Sequence, residues 1–161
     1  MEPIKILVID DEPVICDGCR PTLSDQGFAV DSCNSGTNGL EILLGGEYDL
    51  ALLDMKLPDM NGMEILRHAK QENPGVYVIV MTGYSSVKNA VEAMKLGAFD
   101  YIAKPFTDDE LLISVQRAVE NKRLKEENLA LRHQLSERYD FGNIIGENPK
   151  ILKVFDAIRK V

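Results

Sequence analysis

Asp10 and Asp11 end an apolar run at residues 4–9, and Asp54 ends a second at 50–53. If both runs are strands of one parallel sheet, the three carboxylates meet at its carboxyl edge. Like charges gathered there repel one another, so the arrangement requires a divalent cation to neutralise them. Magnesium takes one or two carboxylates and completes its octahedron with waters and phosphate oxygens. Asp11 and Asp54 suit the direct positions, with Asp10 holding a metal-bound water. A carboxylate in that place is a competent nucleophile toward phosphorus, in a reaction that depends mainly on positioning and charge neutralisation. Lys104, just past the last apolar run, can balance the equatorial oxygens of the transferred group. Thr82, at the end of the fourth run, can donate its hydroxyl to one of them. The expected chemistry is metal-assisted acceptance of a phosphoryl group on Asp54.

The elements that must position these groups read as strands at 4–9, 28–33, 50–53, 76–81 and 101–103, each followed by a segment long enough for a helix. Strict β/α alternation gives a parallel sheet covered on both faces. In such a sheet Asp10, Asp11, Asp54, Thr82 and Lys104 all fall at the edge where open α/β sheets bind ligands. Pro13 suits a first helical turn and Gly27 a helix end, while Pro21 is expected to kink or shorten the first helix. Val87, Ala90, Val91 and Met94 form a stripe at helical spacing, with Ser85 and Ser86 as caps and Gly97 beyond its end.

Composition removes several function classes. The 161 residues are 45% hydrophobic and 27% charged, enough for one core and an appendage. A net charge of -8 disfavours a general grip on nucleic acid, so no direct DNA binding is expected of this chain. No apolar run nears the ~20 residues of a membrane span, and no basic-then-apolar leader opens the sequence, which predicts a cytoplasmic protein. Cys16 and Cys19 have CxxC spacing without a second pair, and His68 and His133 are distant, so they read as ordinary helix residues; Cys33 reads as a small buried one.

Residues 108–138 contain neither glycine nor proline. A helix of about 31 residues is ~46 Å long, and its second half is expected to project past a compact domain. There Asn121, Leu124, Asn128, Leu131 and Leu135 alternate four- and three-residue steps, the seam of a parallel two-stranded coil with Asn at a-type positions. In a parallel pair Glu120 faces the partner's Lys125, and Glu127 faces the partner's Arg132. So short a coil does not hold alone, so the globular domain is expected to share in the dimer. The expected organisation is a phosphoacceptor domain at 1–120, a coil linker at 121–138, and the start of a further domain at 139–161.

The segments VIDDE, LLDMKLPDMNGMEIL, VIVMTGY and GAFDYIAKPF resemble the signature segments of bacterial response-regulator receiver domains, over about residues 3–120. The resemblance implies a flavodoxin-like (CheY-like) five-stranded parallel sheet of order 2-1-3-4-5 and phosphotransfer from a cognate histidine kinase with Mg2+. It implies Asp54 as phosphoacceptor, Asp10 and Asp11 as the metal pair, the Lys56 carbonyl as a further ligand, and Thr82, Tyr101 and Lys104 as switch residues. A cis bond before Pro105 is also implied. Phosphorylation would draw the Thr82 hydroxyl inward and leave room for Tyr101 to rotate. Lys56 and Tyr84 are expected to flank the path of an attacking water. The tail, FGNIIGENPKILKVFDAIRKV, resembles the opening of the AAA+ domain in sigma-54-dependent activators of the nitrogen regulatory protein C type. That implies a downstream AAA+ domain and sigma-54 RNA polymerase as partners of a longer protein. No GxxxxGK[ST] loop is present, so this chain is not expected to handle ATP. A phosphate-independent dimerisation module and an aspartyl-phosphate phosphatase are the competing readings.

Overall fold

The computed structural model describes residues 2–83 and 87–143. Tyr84, the expected caps Ser85 and Ser86, and the tail from residue 144, which carries most of the AAA+ resemblance, lie outside the described residues. Strands and helices alternate: β1 Lys5–Ile9, α1 Pro13–Ser24, β2 Ala29–Cys33, α2 Gly36–Leu44, β3 Leu50–Asp54, α3 Gly62–Glu72, β4 Tyr77–Thr82, α4 Val87–Lys95, β5 Asp100–Ala103 and α5 Asp108–Asn143. All four strand pairings are parallel, in the order β2-β1-β3-β4-β5. The order reverses direction between β1 and β3, and ligands of open α/β sheets bind at such a switch point.

The core follows from two-residue alternation along the strands. Ile6, Val8, Leu50, Leu52, Ile79, Met81 and Ile102 meet α1 and α5 on one face. Leu7, Ile9, Ala51, Leu53, Val78 and Val80 meet α2, α3 and α4 on the other. Because both faces of β1 and β3 are covered, their sequences are continuous apolar runs. A polar residue ending such a run marks the place where the chain leaves the core.

Pro21 does not end α1, which continues to Ser24. The missing N–H leaves the carbonyl of Asp17 without its usual donor, and Asp17 lies on the exposed side of the helix, where that loss is cheap. Gly27 and Gly97 take φ of +90° and +107° after α1 and α4, the left-handed turn that ends a helix. The apolar stripe of α4 faces outward: Val87, Val91 and Met94 are exposed, and the helix buries Ala93 instead.

The chain divides into two units, residues 1–119 and 120–161. In the first, α5 buries Leu111, Val115 and Ala118 against the sheet. In the second, the helix continues to Asn143, past the expected end at Arg138. Along it Leu124, Leu129, Leu131 and Leu135 are exposed, and intrahelical ion pairs join Lys122 to Glu126 and Arg123 to Glu120.

Candidate functional site

Asp10 follows β1 directly, and its N–H donates to the Cys33 carbonyl at 3.1 Å, which carries the ladder one residue past the strand. The side chain is fully buried. Its Oδ1 accepts the Glu12 N–H at 2.9 Å, and its Oδ2 lies 2.7 Å from Lys104 Nζ. Asp54, the last residue of β3, is 4% exposed and accepts the Lys56 N–H on Oδ1 at 3.3 Å. Lys104 Nζ stands 3.5 Å from both Asp54 Oδ2 and Glu12 Oε1. The lysine is brought there because its own N–H donates to the Thr82 carbonyl at 2.8 Å, continuing the β4–β5 pairing. The bond from Lys104 to Pro105 is cis. Thr82 closes β4 with its side chain buried at the same edge.

Electrostatics follow this packing. Burial pushes the Asp54 carboxyl up, and the Asp10 charge pushes it further, against the pull of Lys104. Burial alone would lower Lys104, but the hydrogen bond and charge of Asp10, with Asp54 and Glu12 behind it, raise it above the ordinary lysine value. The thiol of Cys16 donates to the Asp10 carbonyl at 3.5 Å, and Cys19 is pushed up to about 12 by burial and by Cys16. Both therefore stay protonated, in keeping with ordinary helix residues.

Oxygens of Asp10, Glu12 and Asp54 all lie within 4.8 Å of one another. An all-oxygen group of this size and charge fits a hard divalent cation such as Mg2+. Asp11 is exposed and stands outside the group, whereas Glu12, which the sequence reading passed over, belongs to it. The chain bends at Asp11 and the Glu12 N–H bonds back to Asp10 Oδ1, which brings residue 12 to Asp10 and leaves 11 outside. The signal for Glu12 was its two-residue spacing from Asp10.

The loop 55–61 after Asp54 is tightly specified. Lys56 and Asn61 form an antiparallel bridge, the Gly62 N–H donates to the Met55 carbonyl at 3.1 Å, and the Asn61 side chain caps α3 by accepting the Met63 N–H. A Cβ at Gly62 would stand 2.6 Å from the Met55 Cα and 2.8 Å from the Asp54 carbonyl oxygen, so only glycine fits. Between this loop and α4 lies a cavity of about 750 Å³, whose lining includes Lys56, Met60, Met63, Thr82 and Glu92. Tyr101 is half-buried on β5, packed with the cluster that α3 and α4 cover. The sites of Asp10, Asp54, Thr82 and Lys104 thus converge, Lys56 joins them through its backbone, and Tyr101 sits one strand position from Ile102 on the opposite face.

A 2-1-3-4-5 parallel sheet with buried carboxylates, a lysine and a threonine at its carboxyl edge defines the CheY-like class of α/β domains. The chain belongs to the response regulator receiver domain family, whose model matches residues 6–116. It is 33% identical over 157 residues to the regulatory protein AtoC of Escherichia coli, covering 98% of this chain and 34% of that protein. The crystal structure of a response regulator receiver domain protein (CheY-like) from Methanospirillum hungatei superposes with a TM-score of 0.74 at 33% identity, covering 77% of this chain and 99% of that one. The structure of NtrX from Brucella abortus gives 0.75 at 32% identity, covering 81% of this chain and 30% of that one. The chain spans about a third of the length of AtoC. Among the described residues no helix is long and apolar enough to cross a membrane.

Proposed function

We propose that this chain is the regulatory part of a sigma-54-dependent transcriptional activator, phosphorylated on Asp54 by a cognate histidine kinase in the cytoplasm. The Lys104 ammonium suspended between Asp10 and Asp54 carries this reading. A cation held by two carboxylates that burial and mutual repulsion penalise is suited to swing onto the oxygens of an arriving phosphoryl group. Asp10, Asp54 and the Lys56 carbonyl would hold Mg2+, with Glu12 at its flank and Asp11 turning in from its exposed position to join them. Bound there, the ion supplies charge neutralisation for both carboxylate and phosphate. Asp54 is the nucleophile, Thr82 donates its hydroxyl to the acyl phosphate, and Tyr101 reports the change to the face around β5. The chain is an acceptor rather than an enzyme, with hydrolysis of its own phosphoryl group as the only turnover.

Dimerisation is the proposed output. Leu131 is 60% exposed, its seam neighbours Leu124 and Leu135 are exposed as well, and the Glu120–Arg123 pair at 3.9 Å is weak enough to exchange for Lys125 of a second copy. Asn121 and Asn128 would fix the register. On the receiver side the exposed Val87, Val91 and Met94 of α4 and Ile113 of α5 offer apolar surface to the same partner. The dimer then sets the assembly of a downstream AAA+ domain that engages sigma-54 RNA polymerase, while DNA is gripped elsewhere in the longer protein. Incubation with acetyl phosphate and Mg2+, read by intact-protein mass, tests the chemistry. One adduct in the native protein and none in Asp54→Ala is expected; equal labelling of the two, or none of either, overturns it.

A further inference from the structure

Asp59 was silent in the sequence, yet its carboxylate is among the most heavily bonded in the protein. Oδ1 accepts the Gly36 N–H at 2.9 Å. Oδ2 accepts the Thr37 N–H at 2.9 Å, the Thr37 hydroxyl at 2.8 Å and the Ser35 hydroxyl at 2.9 Å. These donors, the Thr37 and Gly36 amides foremost, hold its carboxyl well below the usual carboxylate range. They are also the N-cap and first residues of α2. Part of the acceptor loop is therefore fastened to a neighbouring helix rather than to its own.

A second observation shows the fastening is close. A Cβ on Gly36 would stand 3.1 Å from both the Leu57 Cδ1 and the Met60 Cβ, so the loop lies directly on the first turn of α2. Asp59 itself is exposed, so its bonds serve the loop's shape rather than the burial of its own side chain. What the loop shapes is the Lys56 backbone, whose N–H donates to Asp54 at a long 3.3 Å. The Lys56–Asn61 bridge closes the loop on itself, and the Asp59 bonds fasten the closed loop to the start of α2.

We propose that Asp59 is a positioning residue for the divalent-cation site: by tying loop 55–61 to the start of α2, it sets the orientation of the Lys56 peptide that the cation meets. This rests on the reading of Asp10, Asp54 and the Lys56 carbonyl as the Mg2+ site. Outer supports of metal ligands typically change affinity by about 10–100-fold when removed, and a tie acting through a loop belongs at the low end. Asp59→Ala should weaken Mg2+ binding about tenfold. Asp59→Asn keeps an acceptor oxygen and should recover part of the loss. Thr37→Val removes one hydroxyl and leaves both amide donors, so its effect should be smallest.

The test is a Mg2+ titration of the full chain and the three variants, followed by amide NMR shifts and by the Mg2+ dependence of acetyl phosphate labelling. A raised half-saturation point with the labelling rate at saturating Mg2+ within twofold of the native one supports the tie. A purely structural role would instead lower the urea midpoint and leave Mg2+ affinity alone. Affinity of folded Asp59→Ala within twofold of native overturns the proposal. A native protein that binds Mg2+ but takes no phosphoryl group overturns the phosphoacceptor reading only, and the graded affinities still decide the tie.

Discussion

Replacing Lys104 by methionine removes the charge and keeps most of the volume, so its effect isolates electrostatics at the site. The lysine side chain is 10% exposed and stands 2.7 Å from Asp10, which is fully buried, and 3.5 Å from Asp54. At an effective dielectric near 20 each attraction is about 5 kcal/mol gross, most of it offset by desolvation. Breaking a buried pair by deleting one partner costs about 3–5 kcal/mol, because the other charge is left without compensation. Asp10 keeps the Glu12 N–H, so the low end applies, about 3 kcal/mol. With a urea slope near 2 kcal/mol/M that is a midpoint about 1.5 M lower at neutral pH. The pH dependence has a definite sign. Lys104 is raised in the folded state, so its contribution is complete below the unfolded lysine value of 10.5 and fades only as pH climbs past the folded one. On the acid side the orphaned carboxylates of the variant take up protons, so the gap between native and variant narrows as pH falls through the carboxylate range. Mg2+ narrows it as well, by restoring positive charge. A neutral-pH loss under about 1 kcal/mol, or a gap of equal size at neutral and acid pH, would refute this account of the site.

Asp54→Asn should act in the opposite direction. Folding raises the Asp54 carboxyl, so the native protein loses stability as pH rises from below the unfolded value through the folded one. The variant escapes that loss and should be more stable at neutral pH, with no gain in strong acid; a less stable variant at neutral pH contradicts the argument. Gly62→Ala forces a methyl against two backbone atoms and should cost about 2 kcal/mol or more, read as a lower urea midpoint; an unchanged midpoint means the close approach is not a constraint. Leu131→Ser should weaken self-association at least about tenfold in sedimentation equilibrium. A native chain that stays monomeric at micromolar concentration removes the coil from the account.

The strands were legible because each is an apolar run closed by a residue of another kind. Expected and observed bounds differ by a residue at most, as at 76–81 against Tyr77–Thr82. The acidic edge was legible for the same reason, since Asp10 and Asp54 are the points where buried strands end. Three things were not. Pro21 looked like a break, but near the end of a helix and on its wet side a missing N–H is cheap to tolerate. The stripe on α4 marked a helix correctly but said nothing of which way it faces, because apolar spacing alone does not separate a core from an uncovered surface. Asp59 carries no local pattern at all: its donors are 22 to 24 residues away, and only the fold brings them together.

The two faces of the sheet are served by different helices, and β5 is one of its two edge strands. Tyr101 leans toward the layer of α3 and α4, whereas Ile102, the next residue, leans toward α1 and α5. Asp100, one position earlier, accepts the Ser114 hydroxyl of α5 at 2.6 Å and stands 3.8 Å from the Arg117 guanidinium. Under the proposed switch, news that starts at the tyrosine ring would therefore be delivered to the wrong storey for the long helix. To change floors it has to travel through the rim strand itself, a tilt or slide of four residues, and the carboxylate of Asp100 is the handle by which that motion would take hold of α5.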